Sequence, residues 1–302
     1  PSQIYWCNGS KAERKALTEE AVAQGILIKL NQKKLPGCYY HRSNPNDVAR
    51  VEQSGKITLW SSSQSPFAQR DLIAKALGIS QSDMRVIVHY VGGGFGSKAG
   101  VTIEALPIAL AMKVRGQPVK LRLTREEEFY SNFVRQGLVI KLKMGCDKEG
   151  NLLALKNTMY WDGGAYTEYG VNITRAAGYS STGPYEFPNV HTDSLCLYTN
   201  NPVGGPYRGF GMSELLTGIE QCIDELADAL GMDKVDFRKR NCVKGGDVLG
   251  TGMVMHPNGL EECIEKVARA VGWGDKAQPA TPNKRRGKGI AIMWKAPAMP
   301  PN

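Results

Sequence analysis

No run of about 18 consecutive apolar residues occurs in the sequence, which leaves no candidate for a membrane-spanning helix. The stretch Pro1–Lys15 also lacks the charged start and following apolar segment of a secretory leader. The first residue is Pro and not Met, so a trimmed start would hide one. The seven cysteines are scattered, odd in number and never spaced C-x-x-C. That argues against a zinc ribbon, an iron–sulfur cluster held by this chain or a disulfide scaffold, and a reducing cytoplasm is expected. No internal repeat and no low-complexity tract is present.

What remains is a chain of 302 residues, 42% hydrophobic, long enough for one large domain or two modest ones with a real core. The formal charge is +9 from 38 basic and 29 acidic residues. The basic residues are spread, with short clusters only at Lys11–Lys15 and Lys284–Lys288. A solvated surface or attraction to an anionic cofactor or acidic partner explains this better than nucleic-acid binding.

Residues 1–50 are polar and read as an irregular connecting or residual amino-terminal segment, with one helix over Lys11–Ala23 and turns at Pro36-Gly37 and Ser43–Asp47. From there the pattern predicts a strand at Ile57–Trp60, a helix at Pro66–Leu77 ending at Gly78, and a strand at Met84–Tyr90. Ile103–Val114 is apolar nearly all round and predicts a helix buried on most sides, with Pro107 in its first turn or distorting it. Strands follow at Val119–Leu123, Leu138–Met144 and Leu152–Trp161, the last two separated by the turn Asp147–Asn151 as in a hairpin. Met212–Leu230 carries an apolar stripe and ends at Gly231, and shorter helices are expected at Lys234–Arg240 and Leu260–Val271. Strands and helices mix without a regular βαβ rhythm, so the class is α+β.

Three loops carry candidate chemistry. Val91-Gly92-Gly93-Gly94-Phe95-Gly96-Ser97-Lys98 follows a strand, and its glycines allow main-chain N–H groups to approach an anion or oxo group; the alternative is a plain turn. It lacks the order of a phosphate-binding G-x-x-x-x-G-K-[ST] loop. Gly94, Gly96 and Ala99 fit the loose dinucleotide spacing without its βαβ surroundings. Ser62-Ser63-Gln64-Ser65-Pro66-Phe67 either caps the next helix or offers the Gln64 amide to a ligand. Asn201–Gly211 is a Gly/Pro-rich loop in which Arg208 is an anion binder or a surface charge, and Phe210 a core residue or a stacking ring.

Taken together, in this order and with these intervening elements, the loops resemble the molybdopterin-binding subunit of the xanthine dehydrogenase/aldehyde oxidase family, the molybdenum hydroxylases. The likeness runs from about Lys56 to the chain end and includes Gly183–Asn189 and the helix with Arg238-Lys239-Arg240-Asn241. It implies a cofactor-binding domain of mixed sheets with packed helices over residues 51–302, the first of the family's molybdenum domains. It also implies a molybdenum–pterin cofactor, as molybdopterin or its cytosine dinucleotide form. In that family Gln64 would bond the apical oxygen of molybdenum, and Gly93, Gly94, Phe95 and Gly96 would set main chain against the metal's shell. Arg208 would lie at the metal too. The pterin dithiolene holds the metal, so no His/Cys cluster is required.

The resemblance implies hydroxylation of an N-heterocycle or aldehyde with oxygen from water, with electrons leaving through iron–sulfur and FAD-bearing partner subunits. Arg175 matches a substrate-orienting arginine and Phe210 a substrate-stacking ring. Ala99 stands where xanthine-specific members carry a substrate-binding Glu, which argues against xanthine. Gly209 stands where carbon monoxide-oxidising members carry Cys, which argues against a copper-bridged site. The family's catalytic glutamate has no counterpart in this sequence, so a second molybdenum-domain chain or segment is expected to complete the site and the chain alone to be inactive. A non-catalytic scaffold or assembly remnant of the same fold is the competing expectation.

Overall fold

The structure, a computed structural model, describes residues 10–24, 27–34, 36, 39–41, 48–275, 281 and 283–295. Gly37 of the first expected turn, all of Ser43–Asp47, and Cys7 and Cys38 lie outside the described residues. The chain forms two compact units: Pro1–Ser62 with Arg70–Tyr90 and Ile103–Arg122, and Ser63–Gln69 with Val91–Thr102 and Leu123–Asn302. None of the described helices is long and apolar enough to cross a membrane, and the five described cysteines are free.

In the first unit, α1 (Lys11–Ala23) spans the expected residues, and the Ser10 hydroxyl accepts the Glu13 N–H at 3.1 Å as its cap. β1 (Leu27–Lys29) and β2 (Tyr39–His41) pair antiparallel. The main sheet uses β3 (Val48–Val51), β4 (Ile57–Trp60), β5 (Met84–Ile87) and β6 (Pro118–Lys120) in the order β5-β4-β3-β6. β3 and β4 form a hairpin. β4 and β5 run parallel, which requires a crossover, and α2 (Pro66–Leu77) supplies it. Gly78, at φ +65°, ends α2 where an L side chain would be strained. Ile73 and Ala74 of α2 are buried with Val51, Ile57, Leu59 and Met84 as core residues of this unit. The strand expected over Met84–Tyr90 stops at Ile87, and Tyr90 is fully exposed.

The helix α3 (Ala105–Lys113) corrects the expectation of burial on most sides. Pro107, Ile108 and Ala111 are buried, and α3 packs against β3. Leu106 and Leu110 stay 57% and 53% exposed. One sheet covers one face of a helix, and composition alone does not reveal how many faces have a partner. Pro107 sits in the first turn, where its missing N–H has no helical acceptor to lose.

The second unit begins with α4 (Arg125–Ser131), which starts in a capping box: Thr124 Oγ1 accepts the Glu127 N–H at 3.2 Å, and the Glu127 carboxylate accepts the Thr124 N–H at 2.7 Å. A two-residue strand β7 (Val134–Arg135) leads into β8 (Gly137–Cys146) and β9 (Leu152–Gly164), the expected hairpin. Its turn is tied by Asp147, whose carboxylate accepts from the Asn151 backbone and side chain at 2.8 Å each. β9 then passes through α5 (Gly170–Tyr179) to β10 (Asn189–Tyr198), which pairs parallel with β9, giving the order β10-β9-β8. β11 (Gly204–Gly205) pairs with β7.

α6 (Met212–Leu230) lies on β8 with its stripe inward. Leu215, Ile219 and Ile223 are fully buried, each contributing about 1.5–3 kcal/mol of apolar transfer. Gly231, at φ +64°, closes the helix as the sequence predicts. α7 (Lys234–Asn241) and α8 (Leu260–Ala270) follow.

Two stretches of the family resemblance meet in this core. The Tyr185 hydroxyl donates to Glu220 at 2.5 Å. The same carboxylate accepts the fully buried Arg238 at 2.7 Å, and Asp224 accepts a second Arg238 nitrogen at 2.8 Å. Burial first, and then the Glu220 charge, push the Tyr185 phenol far above its ordinary range, so it remains a donor. Asn241 accepts the Leu152 N–H and donates to the Gly150 and Phe237 carbonyls, each at 2.9 Å. Gly183–Asn189 and Arg238–Asn241 therefore hold the fold together, and α+β with mixed sheets and packed helices is the architecture observed.

Candidate functional site

The site builds up within the second unit from three loops. Gln64 and Ser65 are zipped to the end of the glycine loop: Gln64 N–H donates to the Lys98 carbonyl at 2.9 Å and Ser65 Oγ to the Ala99 carbonyl at 2.6 Å. The Gln64 side-chain oxygen then accepts the main-chain N–H groups of Gly96, at 3.0 Å, and Lys98, at 3.3 Å. Two donors on one oxygen fix the amide's orientation, because Nε2 cannot accept from either. The exposed Gln64 presents its NH2 outward, with no acceptor among the described residues. The serines are occupied locally as well: Ser63 Oγ accepts the Ser65 N–H at 3.0 Å.

The glycine loop folds on itself, with the Ser97 N–H and hydroxyl bonding the Gly94 carbonyl at 3.0 and 2.9 Å, and Ala99 N–H bonding the Gly96 carbonyl at 2.9 Å. A Cβ at Gly94 would overlap the Gln64 amide, and one at Gly96 would overlap the Pro206 carbonyl. These two glycines make room for protein neighbours. Phe95, at φ +53°, is the sole non-glycine with positive φ among the described residues, a strained conformation costing on the order of 1 kcal/mol. Its ring is 57% exposed. The Gly96 N–H is engaged by Gln64, whereas the N–H groups of Gly93, Gly94 and Phe95 meet no acceptor among the described residues.

Arg208 lies on the loop that Gly96 touches through Pro206. Its carbonyl accepts Arg135 Nη2 at 2.9 Å. Arg135 also pairs with Glu214 at 2.7 Å and lies over the Tyr207 ring at 4.5 Å. Glu214 in turn accepts the Gly211 N–H at 3.0 Å. The backbone around Arg208 is thus held from below, and its exposed guanidinium engages no described residue. Arg135 is a residue that sequence reasoning missed, since a lone Arg in a two-residue strand carries no local signal.

The remaining expected residues sit as follows. Arg175 is half-buried on α5 and donates to Asn172 on its own helix at 3.2 Å. The same helix meets the Arg208 loop through Ile173 and Ala177, against Gly211. Phe210 packs half-buried against the core, with Lys295 Nζ 4.7 Å from its ring centre. Ala99 brings only a methyl group.

The directions of these groups restrict the chemistry. Gln64 NH2, the Arg208 guanidinium and the free N–H groups of the glycine loop are all donors, suited to an anionic, oxygen-rich molecule. The described residues contain no cluster of His, Cys, Asp or Glu able to hold a metal ion.

Known proteins are similar to this chain in sequence and in fold. The family description "Molybdopterin cofactor-binding domain" matches residues 45–242. The chain is 35% identical over 201 residues to the xanthine dehydrogenase molybdenum-binding subunit of Escherichia coli O157:H7, covering 67% of this chain and 27% of that protein. It is 36% identical over 194 residues to the nicotinate dehydrogenase large molybdopterin subunit of Eubacterium barkeri, covering 64% of this chain and 45% of that protein. Its fold matches the aldehyde oxidoreductase of Desulfovibrio gigas at a TM-score of 0.70 and 29% identity, over 74% of this chain and 24% of that one. The chain thus spans from about a quarter to under a half of these relatives' length.

Proposed function

The chain belongs to the molybdopterin cofactor-binding domains of the molybdenum hydroxylase family, and from this we propose that residues 51–302 act as the first cofactor domain of a hydroxylase. The observation that carries the reading is the Gln64 amide, pinned by Gly96 and Lys98 so that its donors face outward. Gln64 NH2 and Arg208 would hold oxygen atoms of the cofactor, and the Phe95 segment would lie along it. When bound, the molybdenum–pterin group supplies the redox centre at which carbon is hydroxylated with water-derived oxygen.

The substrate we propose is an N-heterocycle or aldehyde, as the names of the nicotinate and aldehyde relatives suggest. Ala99 offers no carboxylate to a purine, and Gly209 no thiolate for a copper bridge. Arg175 and Phe210 are the proposed substrate contacts. The catalytic glutamate is assigned to a second chain or segment, with iron–sulfur and flavin subunits accepting the electrons. On this reading the chain alone does not turn over.

Metal and pterin analysis of the purified protein, alone and after co-expression with its neighbouring chain, tests the proposal. Stoichiometric molybdenum and pterin that fall in Gln64→Ala and Arg208→Ala support a cofactor half-site. Absence of both even with the partner present would sink it.

A further inference from the structure

Beyond the glycine loop the second unit contains a cavity of about 260 Å³ lined by Glu168, Tyr130, Phe133, Tyr166, Thr102 and Asn132, among others. The Glu168 carboxylate packs closely on the Gly100 backbone, in space that a Cβ on Gly100 would occupy. Glu168 Oε2 is buried and accepts no hydrogen bond from a described residue. No Lys, Arg or His lines the cavity, although the chain as a whole carries a formal charge of +9. The cavity lining thus contains an acidic group and no basic one, in a chain that is basic as a whole. Three aromatic side chains share the wall with this carboxylate, and aromatic faces attract cations. The volume falls just below the roughly 300 Å³ of the smallest drug-sized sites, which limits the occupant to a small molecule.

We propose that this cavity binds a small, flat organic cation of the amidinium or ring-nitrogen class, held by Glu168 between aromatic side chains. The site is separate from the proposed cofactor contacts and does not depend on them. Burial pushes the Glu168 carboxyl up to about 7, only partly offset by the Tyr169 N–H. Tyr130 and Tyr166 are the other titratable lining groups, Tyr169 is the adjoining one, and α4 contributes no further charge to the lining. Cation affinity is then governed by the ionised fraction of Glu168.

The test is calorimetric titration of the full chain with benzamidinium, which stays cationic from pH 6 to 8, and with neutral benzamide, its near-isostere. The expected result is benzamidinium binding that strengthens about tenfold from pH 6 to pH 8, as a carboxyl near 7 requires. Benzamide should bind at least about tenfold more weakly. Glu168→Gln should abolish the pH dependence. Tyr166→Leu, at a ring 75% exposed and hence dispensable to folding, should weaken binding several-fold. No binding at millimolar benzamidinium, equal binding of the two probes, or affinity unchanged in Glu168→Gln would each overturn the proposal.

Discussion

Gln64 and Gly96 are joined by a 3.0 Å hydrogen bond from the glycine's N–H to the side-chain oxygen, and this bond decides which end of the amide is offered to a ligand. Gln64→Glu keeps an acceptor for the Gly96 and Lys98 N–H groups but replaces the outward NH2 by an oxygen. The melting temperature should change little while molybdenum and pterin content falls by about tenfold or more, as expected when a charge-assisted donor becomes a repulsive acceptor. Metal analysis beside a thermal melt reads both.

Gly94→Ala acts on the same pair from the other side. The new methyl would overlap the Gln64 amide, and relieving it requires the side chain to leave its seat. Cofactor content should drop as in Gln64→Ala, with the circular dichroism spectrum retained. Full cofactor content in this variant would show that the pinned amide is not required.

Arg135 is a positioning residue. Arg135→Met retains the stem but removes the bond to the Arg208 carbonyl and the ion pair with the mostly buried Glu214. A loss of about 1–2 kcal/mol in urea unfolding is expected, because Arg135 is partly exposed. Arg135→Lys should restore the charge without the two-pronged geometry and recover only part of the cofactor content.

Arg238 tests the core. Arg238→Ala leaves Glu220 buried with Tyr185 as its remaining side-chain partner, and removing one member of a buried pair costs about 3–5 kcal/mol. Denaturant unfolding should show a large drop in midpoint, whatever the cofactor state.

Glu168 gives stability a pH dependence of defined sign. Its folded carboxyl titrates near 7, above the ordinary 4.5 of a glutamate, so between these values the folded state binds more protons than the unfolded one. Stability contributed by this group is full below about pH 4.5 and declines as pH rises to about 7. Glu168→Gln should therefore melt higher than the parent at pH 8 and no higher at pH 4. Equal differences at both pH values would show that burial does not hold the proton.

Much of this architecture is legible from local pattern. α2 and α6 begin and end where Pro66, Gly78, the leucine stripe and Gly231 indicate, because propensity, periodicity and caps agree there. α5 is not legible: its sequence GVNITRAAGY carries three β-branched residues and two glycines, all weak helix formers. Packing of Ile173 and Ala177 in the core holds it instead. β10 escapes for a related reason, since the residues on its less exposed face include Thr192, Ser194 and Cys196, whose modest hydrophobicity blurs the alternation. At the site, Gln64, the glycine loop and Arg208 are marked by their motif. Arg135 and Glu168 become visible only once residues distant in sequence are brought into contact.

The path of the chain sets what can be isolated. It passes from one unit to the other after Ser62, Gln69, Tyr90, Thr102 and Arg122, so no single cut releases either unit whole. The two short stretches with Gln64 and the glycine loop are each bounded at both ends by residues of the first unit. A fragment starting at Leu123 would keep Arg208 and most of the core but none of the loops it works beside. A single-chain piece that keeps every segment of the second unit must carry residues 70–90 and 103–122 of the first unit as well, and a protease nick within residues 70–90 would sever the covalent link between Gln64 and the glycine loop that pins it.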